Sequence, residues 1–230
     1  MEGTFDHPSP IVVARGIGVH APGGDVFAGV DLEVQAGSIT CVVGPDGSGR
    51  SSLLLALAGR MRITDGSAVV AGHRLPGHER AVRRVAGLGI VRGVNDLDPA
   101  LSLDDHVRIE NLLAGRRMSR SARRKALDAA GVDADPSTRL RDANADDALR
   151  TGLALAMLRE PLLLLVDDVD HDLTVVQQRS VWRLLDGIAD AGTAVVAMVT
   201  DAAFVPAAIA LVRLGTGARL VAMEAEHAVA

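Results

Sequence analysis

Apolar residues in this chain fall into short β-branched runs and longer stretches at helical spacing. Ile11–Arg15 is a β-branched run and predicts a strand, and Pro22-Gly23-Gly24-Asp25 predicts a turn. Val30–Val34 alternates apolar and polar positions, as a half-exposed strand does. Ile39–Val43 is a mostly apolar strand that runs into the glycine-rich Gly44–Ser52, and a Leu- and Ala-rich helix is predicted from Ser51 to about Arg60. Ala68–Ala71, after the Asp65-Gly66 turn, and Leu88–Val91 read as further strands. From Asp104 to Leu158 the strand pattern stops. Arg and Ala at helical spacing predict three helices there, interrupted at Gly131 and at Asp135-Pro136. A strand at Leu162–Val166, a helix over Thr174–Ala189 and a strand at Ala194–Val199 follow, and Ile209–Leu214 with Arg219–Met223 predicts a closing antiparallel pair. Strands alternating with helices around a parallel core define the α/β class.

Composition narrows the classes. The 230 residues are 48% hydrophobic, enough for a sizeable core. The longest apolar runs, Leu162–Val166 and Ala194–Val199, are far short of a membrane span. A net charge of −5 argues against a dedicated nucleic-acid binder. The single cysteine, Cys41, allows no internal disulfide, suits a reducing compartment and reads as a small core residue. Met1–Pro10 carries neither the basic nor the apolar region of a leader peptide, so a soluble cytoplasmic chain is expected. The basic cluster around Arg116–Lys125 reads as a solvated helix face, with contact to a partner or to anionic headgroups as the alternative, and the histidines have no metal-ligand spacing. Lys125 is the only lysine, and there is no tyrosine.

The junction of strand, Gly44-Pro45-Asp46-Gly47-Ser48-Gly49-Arg50-Ser51-Ser52 and helix is the context that a phosphate-binding loop requires. Glycines let backbone N–H groups approach phosphate oxygens, and the helix N-terminus adds partial positive charge. Ser51 stands where a Mg²⁺ ligand belongs, and Ser52 where an α-phosphate contact belongs. The loop departs from G-x-x-x-x-G-K-[ST] at Arg50, which keeps the charge but presents a planar fork in place of a compact ammonium.

Residues 11–224 resemble the nucleotide-binding domains of ATP-binding cassette (ABC) transporters. The resemblance rests on the order of segments: Val30–Pro45 as the strand pair entering the phosphate loop, Ala56-Leu-Ala-Gly then Thr64-Asp-Gly-Ser, Pro99–Val107 opening a helical subdomain, Leu153–Pro161 as the helix after the signature, and Leu162–Asp168 as the Walker B strand. It implies a RecA-like core, a small antiparallel β subdomain, a helical subdomain at about 94–158, and short tails at 1–10 and 225–230. It also implies ATP and Mg²⁺ as cofactors, transmembrane permease subunits as partners on the inner face of the membrane, and a second nucleotide-binding domain that shares two ATP molecules head to tail. Asp167 would hold Mg²⁺ through water. Asp168 stands at the position of the glutamate that polarises the attacking water, one methylene short; a retreat of roughly 1 Å costs on the order of 10²-fold.

Other positions of the family's chemistry are also changed. The Q-loop glutamine falls near Gly93, and no glutamine occurs between Val91 and Leu103. The switch histidine position after Thr200 holds Asp201. His20 is the candidate for the adenine-stacking aromatic. The signature reads Ala143-Asn144-Ala145-Asp146-Asp147, which places two carboxylates where a partner-bound γ-phosphate is expected; like charges at 4 Å cost roughly 4 kcal/mol at intermediate dielectric. These changes predict an ATP-binding subunit with weak or absent hydrolysis. The alternatives are a non-catalytic scaffold or regulatory pseudoATPase, and an active atypical ATPase.

Overall fold

A computed structural model describes residues 9–113, 119–132, 135–215 and 220–221. The chain opens on a long hairpin, β1 (Val12–Ala21) and β2 (Gly24–Val34), whose tip pairs Ala21 with Gly24 at the expected turn. With β4 (Asp65–Val70) and β5 (His73–Leu75) it forms an antiparallel sheet of order β2-β1-β4-β5. The second sheet contains β3 (Ile39–Val43), β6 (Ala86–Leu88), β7 (Leu163–Val166), β8 (Ala194–Val199), β9 (Ala210–Leu214) and β10 (Leu220–Val221), in the order β10-β9-β3-β8-β7-β6. All its pairings are parallel except β9 with β10.

The central strands are buried on both faces, which accounts for their unbroken apolar character. Alternation along each strand divides the interior into two cores. Val42, Leu163, Leu165, Val196 and Met198 pack toward the antiparallel sheet and α1 (Arg50–Leu57). Cys41, Val43, Leu164, Val166, Val195 and Ala197 pack on the other side with Trp182 and Leu185 of α6 (Val175–Asp190). Thr174 opens α6 with a reciprocal capping box to Gln177, a start that the Thr-x-x-Gln spacing encodes.

Between β4 and β7 lie α2 (Glu79–Val85), α3 (Leu103–Leu113), α4 (Arg120–Ala129) and α5 (Ala145–Met157). The last three agree with the expected trio in number, but Gly131 and Asp135-Pro136 both fall between α4 and α5, and α3 ends earlier, at Leu113. The structure corrects three boundaries. The hairpin strands run well beyond Ile11–Arg15 and Val30–Val34, because the polar positions between them face solvent while the backbone stays paired. β6 ends at Leu88 and not at Val91, since Ile90 and Val91 turn away from β7 into a loop closed by Asn95. The pattern also missed β5 and α2, each too short to show a period. Of the predicted Arg219–Met223 strand, Leu220 and Val221 are seen paired and the rest lies outside the described residues, as do Arg116, Arg117, His7 and His227. Among the described residues, no helix is long and apolar enough to cross a membrane.

Candidate functional site

β3, β7 and β8 end on the same side of the sheet, with Val43 in register with Val199 and Val166 with Ala197. A crevice at the carboxyl ends of parallel strands is where α/β sheets bind ligands. The loop Gly44–Gly49 leaves β3 there. Gly44 N–H donates to the Val199 carbonyl and Ser48 N–H to the Pro45 carbonyl, which folds the loop back on itself. Gly49 has a left-handed φ of 87°, and a Cβ there would stand 2.4 Å from the Val26 carbonyl oxygen, so glycine is required.

This geometry leaves a row of donors free. Among the described residues, the N–H groups of Gly47, Gly49, Arg50, Ser51 and Ser52 have no hydrogen-bond partner. The buried Ser48 hydroxyl is likewise unpaired. Unpaired donors around a helix N-terminus suit an anion, and a chain of phosphates would satisfy them together. The expected cradle residues Gly44, Pro45, Asp46, Gly47, Ser48, Gly49, Ser51 and Ser52 lie together on the turn from β3 into α1.

Arg50 begins α1 and is buried with 7% exposure. Its Nη1 donates to Thr200 Oγ1 at 2.9 Å, and its Nη2 to Asp46 Oδ1 at 3.1 Å and Asp168 Oδ1 at 3.4 Å. Its charge is engaged by groups of this chain. Asp168 has a left-handed φ of 45°, a strained setting for a residue with a Cβ, and aspartate tolerates it better than most.

Asp167 follows β7 and is 5% exposed. Burial raises its pKa above the usual carboxylate range; the Ser51 hydroxyl opposes this, the Asp168 charge adds to it, and Arg50 opposes it. Ser51 and Asp167 are hard oxygen donors close enough to influence each other, and they fit Mg²⁺. Among the described residues, no group of three or more His, Cys, Asp or Glu side chains could hold a metal alone. The remaining ligands would come from water and phosphate oxygens, the usual arrangement for this ion.

Sequence reading missed Asp170. Its Oδ2 accepts from the N–H groups of Thr200 and Asp201 at 2.8 and 3.1 Å, which joins the loop after β7 to the loop after β8. Nothing in the local spacing marks it, because its partners lie 30 and 31 residues away. Asp201, expected at the switch position, caps the short turn Ala202–Phe204 by accepting from Ala203 N–H. His20 lies at the hairpin tip and pairs with Asp25 at 2.8 Å. Gly93 has φ 71° and donates to Asp96, while Arg92 beside it pairs with Asp172 at 3.4 Å. A cleft of about 300 Å³ there reaches Asp167 and Asp168.

At the start of α5, Asn144 accepts from Asp147 N–H as the N-cap. Asp146 is turned inward and accepts from Arg150 Nε at 2.9 Å. This corrects the expectation of two opposing charges at the signature: Arg150 neutralises one.

The family model described as ABC transporter matches residues 27–170, more than half of the chain. The cytochrome c biogenesis ATP-binding export protein CcmA of Cupriavidus pinatubonensis is 32% identical over 82% of this chain and 83% of its own length. The Nod factor export ATP-binding protein I of Cupriavidus metallidurans is 28% identical over 73% of this chain and 55% of its own length. The ribose import ATP-binding protein RbsA 1 of Rhizobium johnstonii is 27% identical over 82% of this chain, with 38% of its own length spanned. The chain thus spans about half or less of some curated relatives. In fold it is similar to an ATP-binding cassette of an ABC transporter in its ADP conformation, with a TM-score of 0.78 at 14% identity, covering 93% of this chain and 90% of that one. It is also similar to a dimeric post-hydrolysis cassette bound to ADP and Pi, with a TM-score of 0.77 at 20% identity, covering 93% and 97%.

Proposed function

This chain belongs to the ABC transporter family as a nucleotide-binding domain, and we propose that it binds ATP in a transport complex but hydrolyses it slowly or not at all. One observation carries the reading. The donors that hold phosphate are free, while the groups that act on the γ-phosphate are replaced or engaged elsewhere. Arg50 is tied to Asp168 and Thr200, so the Asp168 carboxylate already has a partner within this chain. Gly93 offers no side chain, and Asp201 is used as a cap. Mg²⁺, held by Ser51 and Asp167, would neutralise charge on the bound phosphates.

Partners follow from the same reading. A second nucleotide-binding domain would meet the phosphate loop, and transmembrane permease subunits would dock through Val94–Leu103 and the helical segment. A groove of about 620 Å³ between β6 and helices α3 and α5 supports this. Its lining combines apolar Leu101, Ile109 and Leu155 with Arg60, Arg83 and Arg84. Such a subunit would sit at the inner face of the membrane, held there by the permease, with no role in nucleic-acid binding.

Equilibrium titration of the full chain with ATP, with and without Mg²⁺, tests the reading alongside phosphate release. Saturable binding with negligible release supports it. Rapid release supports the active atypical ATPase, and no binding leaves the scaffold.

A further inference from the structure

We propose that Arg50 and Asp46 together set phosphate specificity: Asp46 and Asp168 hold the guanidinium, and an incoming polyphosphate must replace them. This rests on the nucleotide-binding reading above. A guanidinium has five donors, no acceptor, and keeps its charge in any protein. Arg50 is 7% exposed, so that charge must be met by acceptors within the fold. Its Nη2 is divided between two carboxylate oxygens, at 3.1 Å from Asp46 and 3.4 Å from Asp168. Neither pair is the short, parallel two-bond arrangement that guanidinium makes with carboxylate or phosphate at its strongest.

Asp46 stands on the loop itself, four residues before Arg50, with its side chain 94% exposed. It can leave the guanidinium at little cost. The free N–H groups of Gly47, Gly49, Arg50, Ser51 and Ser52 lie between these two residues and just beyond them. An anion seated on those donors therefore enters beside the Asp46–Arg50 pair and competes with it. One phosphate group brings the equivalent of one carboxylate. Two consecutive groups bring enough anionic oxygen to take both places on the guanidinium, so a nucleoside diphosphate or triphosphate is favoured over a monophosphate. A lysine ammonium is a point charge on a flexible stem and lacks the fork that spans Asp46, Asp168 and Thr200.

The test is a double-mutant cycle on the full chain, with ADP and AMP titrated calorimetrically into wild type, Asp46→Asn, Arg50→Lys and the double variant. Asp46 is exposed, so Asp46→Asn is expected to fold normally. In the arginine background it is expected to tighten ADP about two- to fivefold, the range of an exposed ion pair, and to narrow the preference for ADP over AMP. In the lysine background the gain is expected to vanish. Equal gains in both backgrounds would show only long-range charge repulsion and overturn the proposal. Weaker ADP binding by Asp46→Asn would make Asp46 a direct ligand contact and also overturn it. If no variant binds ADP, the nucleotide-binding reading falls and takes this proposal with it; wild-type binding without the Asp46→Asn gain removes this proposal alone.

Discussion

Arg50 Nη1 donates to the Thr200 hydroxyl at 2.9 Å, across 150 residues of chain. This one bond joins the start of α1 to the end of β8. The Asp170 carboxylate extends the connection, since it holds both Thr200 and Asp201 by their N–H groups. The loops after β7 and β8 are therefore fastened to the phosphate loop by polar contacts within this chain.

Restoring two residues is not expected to restore hydrolysis. The double variant Arg50→Lys with Asp168→Glu returns the lysine and the longer carboxylate but leaves Gly93, Asp201 and the altered start of α5. Turnover, measured as phosphate release, is expected to rise less than about 10²-fold, the scale on which a 1 Å misplacement acts. A larger rise would place the whole defect at those two positions.

The loop glycines differ in what they tolerate. At Gly49 a Cβ meets the Val26 carbonyl at 2.4 Å on a φ of 87°, whereas at Gly47 the φ is 77° with nothing within 4 Å. Gly49→Ala is expected to cost more than about 3 kcal/mol, from steric overlap added to backbone strain, and Gly47→Ala about 1 kcal/mol. Urea denaturation of the two variants checks the order.

Arg150 is a structural cation. It pairs with Asp146 at 2.9 Å, with side chains 13% and 20% exposed, and donates to Ser180 Oγ and to the carbonyls of Ala130 and Gly131. Arg150→Met strands Asp146 and is expected to destabilise by about 3 kcal/mol, lowering Tm by roughly 6–12 °C. Adding Asp146→Ala is expected to recover part of the loss, because the uncompensated carboxylate is then gone. Thermal denaturation of the three variants reads this directly.

Cys41 is fully buried in β3, and burial, then the Asp170 charge, pushes its thiol up to about 12 against a partial opposing effect of Arg50. The folded state therefore keeps the neutral thiol where the unfolded chain, near 9.0, releases its proton. Below pH 9 this group leaves stability unchanged; between about pH 9 and 12 its contribution falls as the unfolded state gains charge. Native protein at pH 8 is expected to resist thiol reagents, and denaturant is expected to expose one reactive thiol. Labelling at the native rate of a free thiol would contradict this burial.

Much of the fold was legible because buried parallel strands are written in unbroken apolar runs. Ala194–Val199 matches β8 residue for residue. The phosphate loop was legible because strand, glycines and helix must be consecutive. What the sequence concealed was made by side chains meeting across long separations. Neither the Asp170 contacts nor the bonds from Arg50 to Thr200 and Asp168 have a local pattern. The inward turn of Asp146 was hidden because an acidic first turn looks the same whether its carboxylate faces a partner or Arg150.

The fate of bound ATP tests the central claim most directly. The full chain is loaded with Mg²⁺ and ATP radiolabelled at the γ-phosphate, free nucleotide is removed, and the label is followed over time. The expected result is retained label that remains ATP, with turnover slower than about one per minute, against a typical enzyme rate near 10 per second. Release of labelled phosphate within seconds, or no retained label at all, would contradict it.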